Sequence, residues 1–535
     1  NLVERLLDTG PQGWKAYCFA MLGFNVVVFV VGFAILALQP WLPLNPDGKG
    51  MLAPTTIFNT AASFLTNTNL QHYSGEVHLS YFSQLFFIAW KQFVTPAIGL
   101  AALLAVIRGL RGDPHLGNFY LDIWRGVVYV LLPLSAVVAV LLLFGGVPMT
   151  LDGAVTVKTL DGGEQTIARG PVAAIVAIKQ LGTNGGGFFG ANSSHPFENP
   201  SAFTNVVECV AILLIPMACV VLFGVMLRAH RHAGVVFAVM LAFLVAFGGW
   251  AIATDTLAPN PGLAGLAIDQ SQGNLEGKEL RFGPSAGATW AAATTCTSNG
   301  SVNCMHDSLN PLAGLTPLAG MWLNCNFGGV GVGLINFLVY LVVAVFLAGL
   351  MVGRTPEYLG KKVEAREMKL AMLALLIHPL MILAPTGLAA VSDWGTGATN
   401  NPGPHGLTEM LYEFSSASAN NGSGFEGLAD TVGTAEDAAN PEKAAAVGRA
   451  MVWDVATGLV MLLCRFVPIV APIALAASLA AKKPTPFTAG TLRTDTVTFA
   501  ALLLGTIVLV GALLFLPVAA LGPIAEHLGP MPAGN

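Results

Sequence analysis

The stretch Leu181–Pro200 reads LGTNGGGFFGANSSHPFENP, with three consecutive glycines beside Thr183 and Asn184. Apolar segments long enough to cross a bilayer, about 20 residues at about 1.5 Å rise each, flank it on both sides. Irregular backbone at membrane depth is tolerated only where protein buries it or where it lines a water-filled cavity. So much bare backbone in such a place therefore asks for a purpose.

The chain has 535 residues, 54% hydrophobic and 10% charged, against roughly 25% charged in ordinary soluble domains. It reads as an integral membrane protein. The net charge of -5 contains no run of like charges, which leaves no electrostatic footprint for a nucleic acid. Seven cysteines form no CxxC pair and no Cys/His spacing of the zinc-site kind, so no transition metal and no disulfide framework is expected. Cys304 and Cys325 fall in one outer insert, and two free thiols are the expectation there, because closeness in sequence does not supply the Cα separation a bridge needs. Glu4, Arg5, Asp8 and Lys15 in the opening residues do not match a signal peptide, and no initiator Met is present; the chain is expected to start inside a longer one.

Nine spans are predicted: Tyr17 to Leu38, Tyr81 to Leu110, Phe119 to Phe144, Ala202 to Leu227, Val235 to Thr254, Phe327 to Met351, Met368 to Val391, Ala450 to Ala481 and Val497 to Leu521. The first eight form four pairs, and each pair encloses a polar insert that opens on a short apolar run: TIFNTAASFLTNTN, PVAAIVAIKQLGTNGGGFF, SAGATWAAATTCTSNGSVN and GLTEMLYEFSSASANNGSGF. Apolar runs of about 10 to 14 residues are too short to span and suit a re-entrant helix. Their polar ends align as Thr66-Asn67-Thr68, Thr183-Asn184-Gly185, Ser298-Asn299-Gly300 and Asn420-Asn421-Gly422, at spacings of 117, 115 and 122 residues. Such a repeat predicts fourfold pseudosymmetry.

The expected fold is thus an all-α polytopic membrane protein. Four units of helix, re-entrant pore helix with filter loop, and helix surround one central pore, with one extra C-terminal helix. Residues 1–16 form an N-terminal cytoplasmic segment, 17–115, 116–232, 233–367 and 368–483 the four repeats, and 484–535 the last helix and tail. Basic residues cluster in the four connections that follow the second span of each pair: Arg108, Arg111 and Arg125; Arg228 and Arg231; Arg354, Lys361, Lys362, Arg366 and Lys369; Lys482, Lys483 and Arg493. The positive-inside rule makes these cytoplasmic and turns the four inserts outward.

Four glycine- and asparagine-rich loops, each at the end of a short helix, suit a cation filter in which carbonyl oxygens replace an ion's hydration shell. Glycine lets carbonyls turn at φ values that other residues resist. Side-chain oxygens of Thr66, Asn67, Thr183, Ser298 and Asn421 are expected to add ligands or to brace the loops. Taken singly, TNGGG suits a surface turn better than a filter; four copies in register reverse that preference. A phosphate-cradling loop would need Lys-Ser/Thr at its end, where Phe188-Phe189 stand.

The segments TNTNLQHYSGE, LGTNGGGFFGANSSHPFENP, TTCTSNGSVNCMHDS, FGGVGVGL, GLMVGRTPEYLGKKVEAREMKL and NPGPHGLTEMLY with SANNGSGF resemble the potassium-translocating A subunit (KdpA) family of the Kdp-type potassium-transporting ATPase. The likeness runs from about Trp14 to Glu526. It implies a potassium-selecting subunit of a high-affinity uptake pump in the inner membrane of a bacterial or archaeal cell. A separate P-type ATPase subunit, KdpB, would hydrolyse ATP there, helped by KdpC and KdpF. By the resemblance, the twelve aligned residues hold potassium, and Gln71 bears on ion affinity. The family has ten spans, one amino-terminal helix more than the nine read here, and MWLNCNFGG (Met321 to Gly329) departs from the GE that precedes FGG in some members.

Arg465, in VMLLCRFVPIV, lies mid-span, where insertion costs about 2.5–3.5 kcal/mol. A cavity-facing gating charge below the filter would offset that cost, and the resemblance places an arginine at the same position. Lys91, Gln92, Glu208 and Asp454 are further intramembrane polar residues, and His378-Pro379 reads as a kinked, packed helix. No HExxH or GxSxG lies within the spans and no GxxxxGK[ST] occurs in the chain, so the chain is expected to have no catalytic site of its own. The alternative is a stand-alone potassium channel or symporter of the same superfamily.

Overall fold

The computed structural model describes residues 2–263, 266–486 and 492–529; residues 530–535 of the expected tail lie outside these. Among the described residues nine helices are long and apolar enough to cross a membrane. In chain order the elements that matter are α1 (Trp14–Ala37), α2 (Pro54–Leu65), α3 (Tyr81–Arg111), α4 (Phe119–Phe144), α5 (Val172–Leu181), α6 (Ala202–Leu227) and α7 (His230–Ala251). They continue as α8 (Pro284–Cys296), α9 (Pro311–Leu323), α10 (Val332–Met351), α11 (Ala365–Ala390), α12 (Gly403–Ala419), α13 (Ala444–Ala480) and α14 (Val497–Ala519). The fold is all-α and polytopic, apart from two short hairpins, Val155–Lys158 with Glu164–Ile167 and Glu357–Tyr358 with Lys361–Lys362, among the described residues.

Four of the short helices enclosed by pairs of spans, α2, α5, α8 and α12, lead into the polar loops. Proline starts α2 and α8 at the first helical position, where its missing N–H costs nothing. At about 1.5 Å per residue the 12 residues of α2 reach roughly 18 Å, a little over half of a bilayer core of about 30 Å. All four are sheathed in protein, and their C-terminal ends carry the polar loops. The negative ends of four helix dipoles therefore converge on those loops, which favours a cation.

Span boundaries lie within six residues of the predicted ones; the fifth and eighth spans start earlier than expected, at His230 and Ala444, and the sixth starts later. The sixth span begins at Val332, not at Phe327, and a helix that periodicity does not reveal, α9, precedes it. Asn324 (φ 44°), Phe327 (φ 55°) and Gly331 (φ 79°) adopt left-handed backbone, so the helix is broken over 324–331. The break is packed tightly: a Cβ on Gly333 would stand 2.2 Å from the Cα of Gly328.

The four basic connections meet on one side of the molecule. Lys361 donates to the carbonyl of Leu110 at 3.0 Å, and His232 lies 3.0 Å from both the Tyr358 hydroxyl and the Thr494 carbonyl. Lys482 donates to Glu364 at 2.9 Å and to Glu367 at 2.7 Å. At the other end the polar inserts form their own ring. Gly190 N donates to Glu76 at 2.8 Å, Arg281 to the Asn199 carbonyl at 3.2 Å, Asp307 N to the Phe425 carbonyl at 2.8 Å and Ala53 N to the Gly433 carbonyl at 3.1 Å.

Candidate functional site: a four-segment filter

The backbone defines the register of the four loops. Left-handed φ occurs at Asn67 (65°), Thr183 (47°), Ser298 (49°) and Asn420 (51°), and again two residues later at Asn69 (57°), Gly185 (89°), Gly300 (94°) and Gly422 (98°). Between them, Thr68 N, Asn184 N, Asn299 N and Asn421 N donate to the carbonyl five residues earlier, at Ser63, Lys179, Thr294 and Ser416, over 2.8–3.0 Å. The first segment is therefore Asn67-Thr68-Asn69, one residue later than the expected Thr66-Asn67-Thr68. The string TNTN offers two Thr-Asn matches, whereas the structure aligns dihedral angles and not side chains. Thr66 is the helix-capping residue, its hydroxyl 3.0 Å from the Ala62 carbonyl and 2.7 Å from Thr68 Oγ1.

The segments form a closed ring. A Cβ on Gly185 would lie 2.1 Å from the Asn299 carbonyl oxygen, one on Gly300 2.1 Å from that of Asn421, and one on Gly422 1.8 Å from that of Thr68. Repeat 1 has Asn69 where the others have glycine, and the ring closes because Gly186 makes room for it: a Cβ there would meet the Asn69 Cβ at 2.9 Å. Thr68, Asn184, Asn299 and Asn421 are buried, yet among the described residues no hydrogen bond ends on their carbonyl oxygens. Buried carbonyls left in this way cost free energy that a dehydrated cation would offset.

Side chains brace this ring. Asn67 donates to the Thr183 carbonyl at 2.8 Å and Asn184 to Asn67 Oδ1 at 2.6 Å; Asn420 donates to Thr68 Oγ1 at 3.0 Å and Asn421 to the Thr294 carbonyl at 3.0 Å. Ser298 and Thr183 point their hydroxyls to Asn324 Oδ1 (2.9 Å) and Val330 N (3.0 Å). All of these contacts tie one loop to another or to its neighbours. Gln71 grips the second loop twice, donating to the Gly187 carbonyl at 3.1 Å and accepting from Gly187 N at 2.9 Å. Gln92 donates to the Gly186 carbonyl at 2.6 Å.

The second half of the opening stretch, ANSSHPFENP, holds the loop from outside, and sequence reasoning missed how. Lys179, fully buried in α5, pairs with the equally buried Glu198 and donates to Asn192 Oδ1 and Ser193 Oγ at 2.7 Å each. Asn192 in turn donates to the Gly185 carbonyl at 2.6 Å, and Glu198 accepts from Phe189 N at 2.9 Å. A lysine and a glutamate 19 residues apart in an insert that turns back into the bilayer were the available signal. Glu208 joins this network through Ser193 and Gln180, both at 2.7 Å.

The break between α9 and α10 packs against the ring. Val330 N donates to the Thr183 hydroxyl, Asn324 Oδ1 accepts from Ser298, and Asn324 Nδ2 donates to the Ala419 carbonyl at 3.3 Å, so residues 324–331 touch repeats 2, 3 and 4. On the remaining side, Arg465 of α13 places Nη2 3.4 Å from the Thr95 carbonyl, and the Thr95 hydroxyl donates to Asn67 Oδ1 at 2.8 Å. Arg465 is 4% exposed and forms no ion pair among the described residues. Lys91 donates to the Val28 carbonyl at 2.7 Å, away from the ring. His378 is packed between Ser418 Oγ (2.7 Å) and the Met321 carbonyl (3.0 Å). Cys304 and Cys325 are buried free thiols.

A family model, "Potassium-transporting ATPase A subunit", matches residues 3–528. A protein of Geobacillus kaustophilus named potassium-transporting ATPase potassium-binding subunit is 49% identical over 517 residues, covering 96% of this chain and 89% of its own. One of the same name from Parabacteroides distasonis is 48% identical over 541 residues, covering 98% and 92%. Among solved structures, the potassium transporter TrkH of Vibrio parahaemolyticus shares the fold at 14% identity, with a TM-score of 0.50 over 84% of this chain and 83% of that one. With a matching model over nearly its whole length and relatives at this identity, the chain belongs to the potassium-transporting ATPase A subunit family.

Proposed function

We propose that this chain binds potassium from outside in the four-segment ring and passes it inward as the ion-selecting subunit of an ATP-driven uptake pump. The observation that carries the reading is the set of four buried carbonyls, on Thr68, Asn184, Asn299 and Asn421, that accept no hydrogen bond among the described residues. Potassium is the cargo. ATP acts only through a P-type ATPase partner corresponding to KdpB, with KdpC and KdpF completing the complex in the bacterial or archaeal inner membrane. Residues 17–115, 116–232, 233–367 and 368–483 are the four repeats of this proposal. The names carried by the relatives favour the pump subunit over a stand-alone channel or symporter.

In this reading the broken segment 324–331 and the Arg465 charge stand on the inner side of the ring, so an ion would leave the ring sideways or wait for a conformational step. In the assembled complex, ATP hydrolysis is expected to rise with added potassium and not with added sodium. Equal stimulation by both ions would sink the filter reading. Orientation has its own test. An impermeant thiol reagent should label Ser194→Cys from outside and Lys362→Cys only after permeabilisation; the opposite pattern would invert the topology. Lys362 is preferred to Lys361 because it is exposed, whereas Lys361 is buried.

A further inference from the structure

Next to the filter but outside it, four ionisable side chains from separate parts of the chain meet. His72 follows Gln71 on the way out of the first segment, Glu413 sits in α12, Asp430 in the outer loop beyond the fourth segment, and Asp454 in α13. His72 Nδ1 lies 2.8 Å from Asp454 Oδ1, while Nε2 lies 3.2 Å from Glu413 Oε1 and 3.6 Å from Asp430 Oδ2. The side chains of His72, Glu413 and Asp454 are 1%, 3% and 0% exposed, and only Asp430, at 16%, opens outward. Asp454 also accepts from the Thr56 hydroxyl at 2.9 Å. Among the described residues no lysine or arginine pairs with any of the four.

An ionised Asp454 can only accept, so it fixes the imidazole proton on Nδ1. Nε2 then turns a lone pair toward two carboxylate oxygens, and three acceptors converge with no donor between them. Something positive belongs there. A second imidazole proton supplies one charge against three buried carboxylates; a divalent ion beside a neutral imidazole supplies two. The spacing also fits a metal. Bonds of about 2.0–2.1 Å in a tetrahedron give donor–donor edges of about 3.3–3.4 Å, beside the observed 3.2 and 3.6 Å, and all three ligand atoms lie within 4.8 Å of one another. A histidine that gives its other ring N–H to a carboxylate is the usual support for a bound metal.

We infer that His72 Nε2, Glu413 and Asp430 form a divalent-metal site of one nitrogen and carboxylate oxygens, with Asp454 orienting the imidazole and water entering past Asp430 as the fourth ligand. That donor set suits zinc. A metal there staples the exit of the first filter segment to repeat 4 and thereby steadies Gln71, the neighbour of His72 that holds Gly187. A second group, Asp307, His405 and Glu409, makes a natural control. Both nitrogens of His405 are already engaged at 2.7 Å by Asp307 and Glu526, and Glu409 accepts from Asn400 N and Asn401 N at 3.0 and 3.1 Å.

The test strips the purified protein, with its accompanying subunits, of metal by chelation, adds zinc alone, removes the excess, and counts what stays bound by mass spectrometry. One retained equivalent is expected, with an X-ray absorption edge showing nitrogen and oxygen but no sulfur neighbours. It should be lost in His72→Gln and in Asp430→Asn, bound about 10–100-fold more weakly in Asp454→Asn, and kept in His405→Gln. Should His72→Gln fail to fold, Asp430→Asn at the exposed rim decides. No retained zinc in the wild type, sulfur neighbours in the absorption spectrum, or full retention in Asp430→Asn would overturn the site and leave the cluster as an imidazolium held by carboxylates.

Discussion

Half-maximal stimulation of ATP hydrolysis by the assembled complex is expected to need at least about tenfold more potassium when Gly422 becomes alanine. At φ 98° the residue occupies backbone that costs an L-amino acid at least about 1–2 kcal/mol, which alone is about 5- to 30-fold in an equilibrium. The overlap adds to this. A Cβ would fall 1.8 Å from the Thr68 carbonyl oxygen and 3.1 Å from the Asn69 carbonyl carbon, and both are backbone atoms that must move as a unit. The group displaced is one of the four carbonyls assigned to the ion. Selectivity over rubidium and ammonium should fall with affinity, because a filter whose carbonyls no longer close to one radius loses its preference. Gly424→Ala two residues later is the control: its Cβ would find its nearest neighbours at 3.6 Å, within its own loop, and close to wild-type behaviour is expected. If Gly422→Ala keeps wild-type potassium dependence and ion preference, these carbonyls are not the ligands.

The fold was legible because its two signals are long ranged and redundant. Spans announce themselves by length and apolarity, and four inserts at nearly even spacing announce the repeat, so an error in any one of them is outvoted. Register and breaks are single-residue matters with no such averaging. Thr66-Asn67-Thr68 matches the other three loops at its central asparagine, but the structure aligns them by left-handed backbone, which Asn67 and Asn69 adopt as Thr183 and Gly185 do. The break at 324–331 was hidden for a related reason: WLNCNFGGVGVG contains the glycines that permit it, yet its apolar residues continue the pattern of a helix. The Lys179–Glu198 bracket needed the loop closed in three dimensions before its two charges could be seen to meet. Gln71 carried a role by resemblance alone, and the geometry gives it a physical task in holding Gly187.

Arg465→Met is expected to raise potassium flux through the reconstituted complex in the absence of ATP by about tenfold or more, while the fold survives. The guanidinium has one protein contact of note, the Thr95 carbonyl at 3.4 Å, and Thr95 is itself bonded to filter residue Asn67; the charge thus lies one residue removed from the first segment and lacks a carboxylate among the described residues. A unit charge at about 5–8 Å from a potassium ion repels it by about 2–3 kcal/mol at an effective dielectric near 20, a factor of about 30 to 150 in the occupancy of the position just inside the ring. Methionine keeps the length and removes both that barrier and the cost of holding a bare charge at membrane depth, so stability should not fall. Lysine should restore coupling in part, because it returns the charge without the planar fork that reaches Thr95. Two measurements separate gating from packing: flux without ATP, and the number of ions moved per ATP. A purely structural arginine would lower thermal stability in both Arg465→Met and Arg465→Lys and leave the ratio of ions to ATP unchanged. A variant that stays tightly coupled would mean that the broken segment 324–331 closes the path by itself.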